Sequence, residues 1–311
     1  MSPELIQGIR AQSRLSISQA ISLIENHSEE GPELLSNLYQ YSGNAYRIGI
    51  TGPPGAGKSS ITNNLISAYR QKGNKVAVIA VDPTSPFSGG AVLGDRIRMT
   101  SHHSDSHVFV RSMATRGGQG GLALKTQEAG EIFDAAGFDI IIYETVGVGQ
   151  IELDVIQATD TVVVVLVPES GDEVQMLKAG LMEIGNIFSI NKADRPGANK
   201  LMITLKNILS TFSIDEGIWI PQVVHTVATE GTGTNELVDF INSHRSFNQE
   251  HGIHRQKMDE RYKYRLTELI KDDYMGKFWN DENISELKKA LDKNHHKRLS
   301  PYDLANKMLN R

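Results

Sequence analysis

One short segment constrains the fold of this chain more than any other. Residues 52–59 read GPPGAGKS and fit the pattern G-x-x-x-x-G-K-[ST]. The apolar run 46–51 precedes the segment, and a stretch of helical character, 59–71, follows it. A glycine-rich turn between a strand and a helix lets backbone N–H groups surround a phosphate, while the helix N-terminus adds partial positive charge. The segment therefore predicts a phosphate-binding loop.

The residues of this loop have predicted roles in binding a nucleoside triphosphate. Lys58 is expected to reach the β- and γ-phosphates, and the Ser59 hydroxyl is expected to ligate Mg²⁺. The backbone is expected to surround the β-phosphate. The predicted nucleotide-binding segment comprises Gly52, Pro53, Pro54, Gly55, Ala56, Gly57, Lys58, Ser59 and Ser60.

Apolar runs alternate with helical segments through the middle of the chain. The predicted strands are YRIGIT (46–51), KVAVIAVD (75–82), HVFVR (107–111), FDIIIYET (138–145), TVVVVLV (161–167), NIFSIN (186–191) and WIPQVVHT (219–226). Most of these runs are continuously apolar, as in strands that helices cover on both faces. The pattern predicts an α/β P-loop NTPase fold with a mostly parallel, doubly wound sheet and helical N- and C-terminal extensions.

The chain divides into three predicted zones. Residues 46–245 form the P-loop domain, and residues 1–45 and 246–311 are helical. The first zone carries an apolar stripe at helical spacing, formed by Ile17, Ala20, Ile21 and Ile24. This zone is either a partner-binding arm or an extension packed on the core. The last zone is either a dimerisation element or a helical subdomain that closes one edge of the core.

Composition excludes several classes of protein. The chain has 311 residues and a formal net charge of −5, which argues against nucleic acid as the main partner. It contains no cysteine, so it has neither a disulfide framework nor a Cys-ligated metal site. No apolar run is long enough to span a bilayer, and the start lacks the apolar core of a signal peptide. A cytoplasmic location without membrane attachment is expected.

A second motif predicts recognition of guanine. Asn191-Lys192-Ala193-Asp194 directly follows a predicted strand. The Asp194 carboxylate matches the N1–H and N2–H₂ donors of guanine, which adenine lacks. The Lys192 stem can lie along the flat face of the base, and Asn191 can tie this loop to the phosphate-binding loop.

A third segment completes the predicted base site. Thr226, Val227 and Ala228 end the final predicted strand, and a backbone N–H near Ala228 is a candidate donor to guanine O6. An ordinary strand-end loop is the alternative interpretation.

Two acidic residues end apolar strands at the predicted nucleotide crevice. Asp82 ends the run 75–82, and Glu144 lies near the end of the run 138–145. Glu144-Thr-Val-Gly147 has the form of the second switch of GTPases, so the Gly147 N–H is a candidate sensor of the γ-phosphate. The candidate Mg²⁺ ligands are Ser59, Asp82, Asp95 and Glu144.

Further residues bear on the rate of hydrolysis. Asp95 lies in a long polar loop and could order around the γ-phosphate, or it could be a charge at a helix N-terminus. Lys178 could supply charge to the transition state, or it could belong to a solvated helix start. Val148 stands where Ras-like proteins have the glutamine that orients water. This substitution predicts slow hydrolysis until a partner or a second protomer completes the site.

Five segments, in chain order, resemble one known family: GITGPPGAGKSS, AVDPTSPFSGGAVLGDRIRM, YETVGVGQ, PESGDEVQMLK and SINKAD. They are similar to the MeaB/ArgK-like GTPases, the chaperones of adenosylcobalamin-dependent methylmalonyl-CoA mutase and its relatives. The resemblance extends over about residues 12–245. Its most specific part is the combination of D-P-[ST]-S with E-T-V-G-V-G-Q.

The resemblance implies a GTP- and Mg²⁺-binding homodimer joined through its C-terminal helices. It implies that the protein gates adenosylcobalamin loading onto methylmalonyl-CoA mutase or a related B12-dependent acyl-CoA mutase, and protects that enzyme. It also implies three mobile segments, at about residues 82–95, 144–150 and 168–180, that transmit the nucleotide state. Lys178 takes the position that couples the third segment to the nucleotide.

Two alternative functions are open at this point. An older family label describes a P-loop kinase or ATPase linked to arginine/ornithine transport, but the motif 191–194 favours guanine over adenine. Metal-delivering relatives use Cys or His-rich tracts. This chain has no Cys, and its adjacent histidines, at 102–103 and 295–296, form pairs and not longer tracts, which argues against metal delivery.

Overall fold

A computed structural model describes most of the chain. The described residues are 3–26, 28–82, 102, 104–114, 119–145, 147, 158–168, 181–210 and 217–310, with only the backbone described at 82, 114 and 119–123. Predicted sites at Asp95, Val148 and Lys178, and most of the three switch-like segments, lie outside these residues.

The apolar runs form one seven-stranded sheet. Its strands are β1 (Tyr46–Thr51), β2 (Val76–Asp82), β3 (Val108–Ala114), β4 (Ile140–Thr145), β5 (Thr161–Leu166), β6 (Ile187–Asn191) and β7 (Gln222–Thr226). The strand order is β3-β2-β4-β1-β5-β6-β7, and every pairing is parallel. All seven predicted strands are confirmed, although β3 continues beyond its predicted end at residue 111.

The helices have the following bounds: α1 Pro3–Arg10, α2 Arg14–Glu25, α3 Glu30–Leu38, α4 Lys58–Gln71, α5 Gln119–Ala135, α6 Leu181–Ile184, α7 Ala198–Ser210, α8 Thr234–Glu250, α9 Ile253–Phe278, α10 Asp281–Leu291 and α11 Pro301–Leu309. Short 3₁₀ turns occur at Tyr39–Tyr41 and His295–Lys297.

Helices cover both faces of the sheet, because successive side chains of each strand point to opposite sides. In β2, Ala77 and Ile79 pack with α5 and the N-terminal helices, whereas Val76 and Val78 pack with α4 and α8. In β5, Val164 packs with α6 and α7 in a third cluster. This arrangement confirms the doubly wound α/β fold.

The N-terminal helices pack on the sheet through the predicted apolar stripe. Ile17, Ala20, Ile21 and Ile24 are all buried in one cluster with α5. Arg14 adds a polar contact, because its guanidinium donates to the Val108 carbonyl at 2.8 Å and lies over the Phe109 ring. Arg111 also pairs with Glu25.

The chain separates into two compact units, Met1–Met258 and Asp259–Arg311. In the second unit, Ser300 accepts a hydrogen bond from the Asp303 N–H at 3.1 Å, and Pro301 takes the first position of α11. Lys307 pairs with Glu286 at 2.6 Å and joins α11 to α10. Among the described residues of this unit only Met308 is buried.

No helix in the described part of the chain combines the length and apolar character needed to cross a bilayer.

A buried histidine connects α8 to the amino edge of the sheet. His244 Nδ1 lies 2.7 Å from Thr161 Oγ1, and the Tyr46 hydroxyl bonds to the same oxygen. The Trp219 ring packs on the imidazole at 4.8 Å between centroids. Burial, with a smaller contribution from the nearby Lys257 and against the opposing effect of Asp160, lowers the pKa of His244 to about 3.

This burial predicts a loss of stability in mild acid. Between pH 6.5 and about 3 the unfolded chain protonates this ring and the folded chain does not, so stability falls as pH decreases. Going from pH 7 to pH 5 should cost about 2 kcal/mol at this site. In His244→Gln, the difference in unfolding free energy between these pH values should shrink by that amount. Urea titration followed through Trp219, in a Trp279→Phe background, measures it.

The matched control is His251→Gln, which changes an exposed histidine at the end of the same helix. The pH dependence of stability should be smaller in His244→Gln than in this control. If the pH dependence of stability were unchanged in His244→Gln, the loss of stability in acid would not come from His244.

Candidate functional site

The phosphate-binding loop runs between β1 and α4, as the motif predicts. Gly52 and Gly57 have φ angles of 142° and 92°, which side-chain-bearing residues rarely adopt. A Cβ on Gly52 would lie 2.1 Å from the Val165 carbonyl oxygen of β5, and one on Gly57 would lie 2.3 Å from Asn191 Nδ2. Glycine is therefore required at both positions by conformation and by close approach.

The ammonium group of Lys58 lies against the backbone of this loop. Its Nζ donates to the Gly52 carbonyl at 2.8 Å and to the Pro53 carbonyl at 3.0 Å. The side chain is buried, because α4 begins at Lys58 and directs it back over the loop. A positive charge is thus held where a bound polyphosphate would lie, and phosphate oxygens could replace the two carbonyls as its acceptors.

Two predicted Mg²⁺ ligands lie together at the start of α4. The Ser59 hydroxyl donates to Glu144 Oε1 at 2.5 Å. Glu144 is adjacent to Ile50 of β1 and Ala80 of β2 in the parallel register, so the backbone of Asp82 ends the strand beside it. These oxygen donors suit a hard cation such as Mg²⁺.

The described residues contain no cluster of three or more His, Asp or Glu side chains that could hold a metal. A Mg²⁺ ion bound with a nucleotide needs few protein ligands, because phosphate oxygens and water complete its octahedron. The serine–carboxylate pair therefore fits this ion.

Asn191 joins three loops of the site. Its Nδ2 donates to the Ala56 carbonyl at 2.8 Å, and its Oδ1 accepts from the Ala228 N–H at 3.0 Å and from Thr226 Oγ1 at 3.3 Å. The side chain is buried. One amide group thus holds the phosphate-binding loop, the end of β6 and the end of β7 in fixed relation.

The next residues place a carboxylate at the surface of this crevice. Lys192 has a φ of 57°, and its Nζ donates to the Gly55 carbonyl at 3.0 Å. The Ala193 N–H donates to the Thr226 carbonyl at 3.1 Å. Asp194 is exposed, so its carboxylate is accessible to a ligand.

The segment after β7 supports the loops around it. The buried Thr226 hydroxyl bonds to Ser189 Oγ at 2.8 Å, and Val227 pairs with Thr232 in an isolated bridge. The Ala228 N–H, a candidate donor to guanine O6, donates here to Asn191 Oδ1. A base that takes this N–H must therefore share it with Asn191.

Three polar residues that hold these loops are not predicted from the sequence. Asn64 donates from α4 to the Ala228 carbonyl at 2.8 Å, and no motif indicates it. Thr51 and Thr145 both contact the Gly147 carbonyl. The sequence offered one indication for Thr51 and Thr145, which is that they directly adjoin Gly52 and Glu144.

Comparisons with known proteins identify the family of this chain. A family model described as "Methylmalonyl Co-A mutase-associated GTPase MeaB" matches residues 17–283. The chain belongs to the MeaB family. It is therefore a P-loop GTPase, and the predicted P-loop NTPase fold is confirmed.

Similar proteins occur in distant organisms. A putative GTPase of Pyrococcus abyssi is 45% identical over 311 residues, covering 99% of this chain and 96% of the relative. The GTPase ArgK of Escherichia coli is 36% identical over 243 residues, covering 75% and 73%. A mouse protein named methylmalonic aciduria type A homolog, mitochondrial, is 30% identical over 299 residues, covering 91% and 72%.

A solved structure described as a LAO/AO transport system kinase has a similar fold. Its TM-score is 0.72 at 25% identity, over 99% of this chain and 96% of that one. The similarity therefore extends along nearly the whole of both chains.

The three-way contact of Asn191 leads to a prediction about nucleotide affinity. Asn191→Ala removes the bonds to Ala56 and Ala228, so both loops lose their mutual support. We expect GDP affinity to fall roughly 10- to 100-fold, as for the loss of buried hydrogen bonds. Isothermal calorimetry measures the affinity, and a thermal melt verifies that the variant is folded.

Asn199→Ala, at an exposed position on α7, is the matched control and should bind GDP like the unmodified chain. If a folded Asn191→Ala protein kept full GDP affinity, this amide would not hold the site together.

Proposed function

We propose that this chain is a GTP-dependent chaperone of methylmalonyl-CoA mutase or a related B12-dependent acyl-CoA mutase, gating its loading with adenosylcobalamin and protecting it. The observation that carries the proposal is the hydrogen bonding of Asn191 to both the phosphate-binding loop and Ala228, which places the exposed Asp194 in the same crevice as that loop. The chain belongs to a family whose description contains the words mutase-associated GTPase. The name of the mouse relative refers to methylmalonic aciduria and supports the same connection.

The triphosphate is proposed to lie over the loop 52–57. Backbone N–H groups and the N-terminus of α4 then face the β-phosphate. Lys58 exchanges its contacts with Gly52 and Pro53 for phosphate oxygens, and its charge offsets that of the β- and γ-phosphates. This exchange keeps the ammonium group paired in both states.

Ser59 and Glu144 are the proposed holders of Mg²⁺ among the described residues, and Asp82 and Asp95 are further candidates from the sequence. When bound, the ion supplies positive charge to the phosphate oxygens. The Ser59–Glu144 hydrogen bond orients the serine oxygen before the nucleotide arrives. The Gly147 N–H is proposed to meet the γ-phosphate.

Asp194 is proposed to read the base. Its exposed carboxylate can accept from guanine N1–H and N2–H₂, and adenine leaves it unpaired. Polar groups that a ligand buries and leaves unpaired can discriminate by roughly 10⁴–10⁵. Asn191 fixes the reader relative to the loop that holds the phosphates, so base and phosphates are recognised together.

The chain is also proposed to act as a homodimer through its C-terminal unit. Large apolar side chains there are exposed in the single chain, including Tyr262 (56%), Ile270 (59%), Tyr274 (56%) and Tyr302 (83%). Exposed apolar surface of this kind is common at protein interfaces.

A kinase or ATPase linked to arginine/ornithine transport is not favoured. The name of the solved transport-system kinase refers to such an activity, but a guanine reader does not serve an ATP-dependent enzyme. The relatives reported above include proteins named as GTPases.

The proposed base reader predicts a change of nucleotide specificity. Asp194→Asn replaces an acceptor with an amide that donates where xanthine accepts. We expect this variant to lose GTP hydrolysis at micromolar substrate and to hydrolyse xanthosine triphosphate instead. Phosphate release measured with both nucleotides reports the preference.

Asp239→Asn, at an exposed position on α8, is the matched control and should keep the preference for GTP. Full GTP preference in Asp194→Asn would mean that another residue reads the base.

The proposed partner predicts a nucleotide-dependent complex. The chain and the methylmalonyl-CoA-type mutase of the same organism are mixed with a non-hydrolysable GTP analogue or with GDP. We expect the complex and the rate of adenosylcobalamin transfer to differ between the two nucleotides. Light scattering measures the mass of the complex and reports whether the chain enters as a dimer.

The Asp194→Asn variant provides the control. It should respond to the xanthosine analogue and not to the guanosine analogue. Absence of a complex and of any effect on cofactor transfer, in every nucleotide state, would refute the chaperone function while leaving GTP hydrolysis intact.

A further inference from the structure

Two threonine hydroxyls converge on one carbonyl beside the phosphate-binding loop. Thr51 Oγ1 and Thr145 Oγ1 each lie 3.1 Å from the Gly147 carbonyl oxygen, and 3.1 Å from each other. Both side chains are about 1% exposed. These three residues form a cluster that we call the threonine clamp.

The threonine clamp lies between two functional segments. Thr51 is the last residue of β1 and directly precedes Gly52. Thr145 is the last residue of β4 and directly follows Glu144, and the two strands are neighbours in the sheet. The clamp therefore connects the phosphate-binding loop to the segment that carries Glu144 and Gly147.

Strand formation does not explain the two hydroxyls. Valine has nearly the same shape and an equal preference for strands, and valines fill many positions of this sheet. A buried hydroxyl is unfavourable unless it is hydrogen-bonded. Thr145 Oγ1 is also 3.4 Å from the Ile50 carbonyl, a longer contact than the one to Gly147. The Gly147 carbonyl is the acceptor that both hydroxyls share.

Holding this carbonyl restricts a residue that would otherwise have wide conformational freedom. Glycine loses more backbone entropy on ordering than any other residue. A Gly147 fixed in advance by two hydrogen bonds can present its N–H to a γ-phosphate at a smaller entropic penalty.

We propose that Thr51 and Thr145 are positioning residues that hold Gly147 ready for the γ-phosphate, and thereby favour GTP over GDP. This inference rests on the proposed role of Gly147. GDP lacks the γ-phosphate, so its binding does not depend on the clamp.

The test compares Thr51→Val, Thr145→Val and the double variant with the unmodified chain. Each valine should lower the affinity for a non-hydrolysable GTP analogue about 3- to 10-fold, the effect of one hydrogen bond. GTP hydrolysis should fall by at least the same factor, and GDP affinity should stay unchanged. The double variant should lose more than either single variant, because only there does the Gly147 carbonyl lose both of these hydroxyl donors.

Two controls separate positioning from a general structural role. Thr51→Ser and Thr145→Ser keep the hydroxyl and should retain most of the GTP preference. If a valine variant fails to fold, the alanine variant at the same position replaces it, and the serine variant should prefer GTP more strongly than the alanine variant. Thr62→Val removes a buried α4 hydroxyl that has no hydrogen-bond partner in the described part of the chain. It should change neither affinity.

Equal losses of GDP and GTP affinity in the valine variants would overturn the proposal, since they would indicate a structural role. Unchanged GTP affinity and hydrolysis in the double variant would also overturn it. Failure of the unmodified chain to prefer guanine nucleotides would instead contradict the proposed base reader, so the two failures are distinguishable.

Discussion

The candidate site depends on the side-chain amide of Asn191. Its Nδ2 holds the Ala56 carbonyl and its Oδ1 holds the Ala228 N–H, so one buried group joins the loops after β1, β6 and β7. The fit is close enough that Gly57 has no room for a side chain. Because the amide is buried, leaving either end unpaired would carry a desolvation penalty. The segment 191–194, which we propose reads the base, is therefore held in a fixed position relative to the phosphate-binding loop.

The parallel sheet makes this arrangement possible. All seven strands run in one direction, so their carboxyl ends, and the residues that follow them, meet at one edge. Glu144, Asn191 and Thr226 each lie at or near the end of a different strand. The opposite edge holds the buried group around His244, which connects α8 to the starts of β1 and β5. The candidate site and the buried hydrogen bonds of His244 thus lie at opposite edges of the same sheet.

Local chemistry made much of this predictable. The continuously apolar runs predicted every strand of the sheet, since strands covered on both faces need no polar alternation. The motif at residues 52–59 predicted a loop between a strand and a helix, because the required glycines and the lysine lie in one short segment. The stripe at Ile17 and Ile21 predicted a buried helical face. The stripe did not indicate whether this face packs against a partner or against the core of the same chain.

The sequence by itself determined the class of fold, the phosphate-binding loop and the motif expected to read guanine, since these depend on residues close together in the chain. Only the tertiary structure decided which distant groups meet. Ser59 contacts Glu144, Asn64 holds Ala228, and Thr51 and Thr145 converge on Gly147. The physical reason is that strand order and register, which no local pattern encodes, choose the neighbours of each strand end. Hydrogen bonds of fixed length then select the partners from among those neighbours.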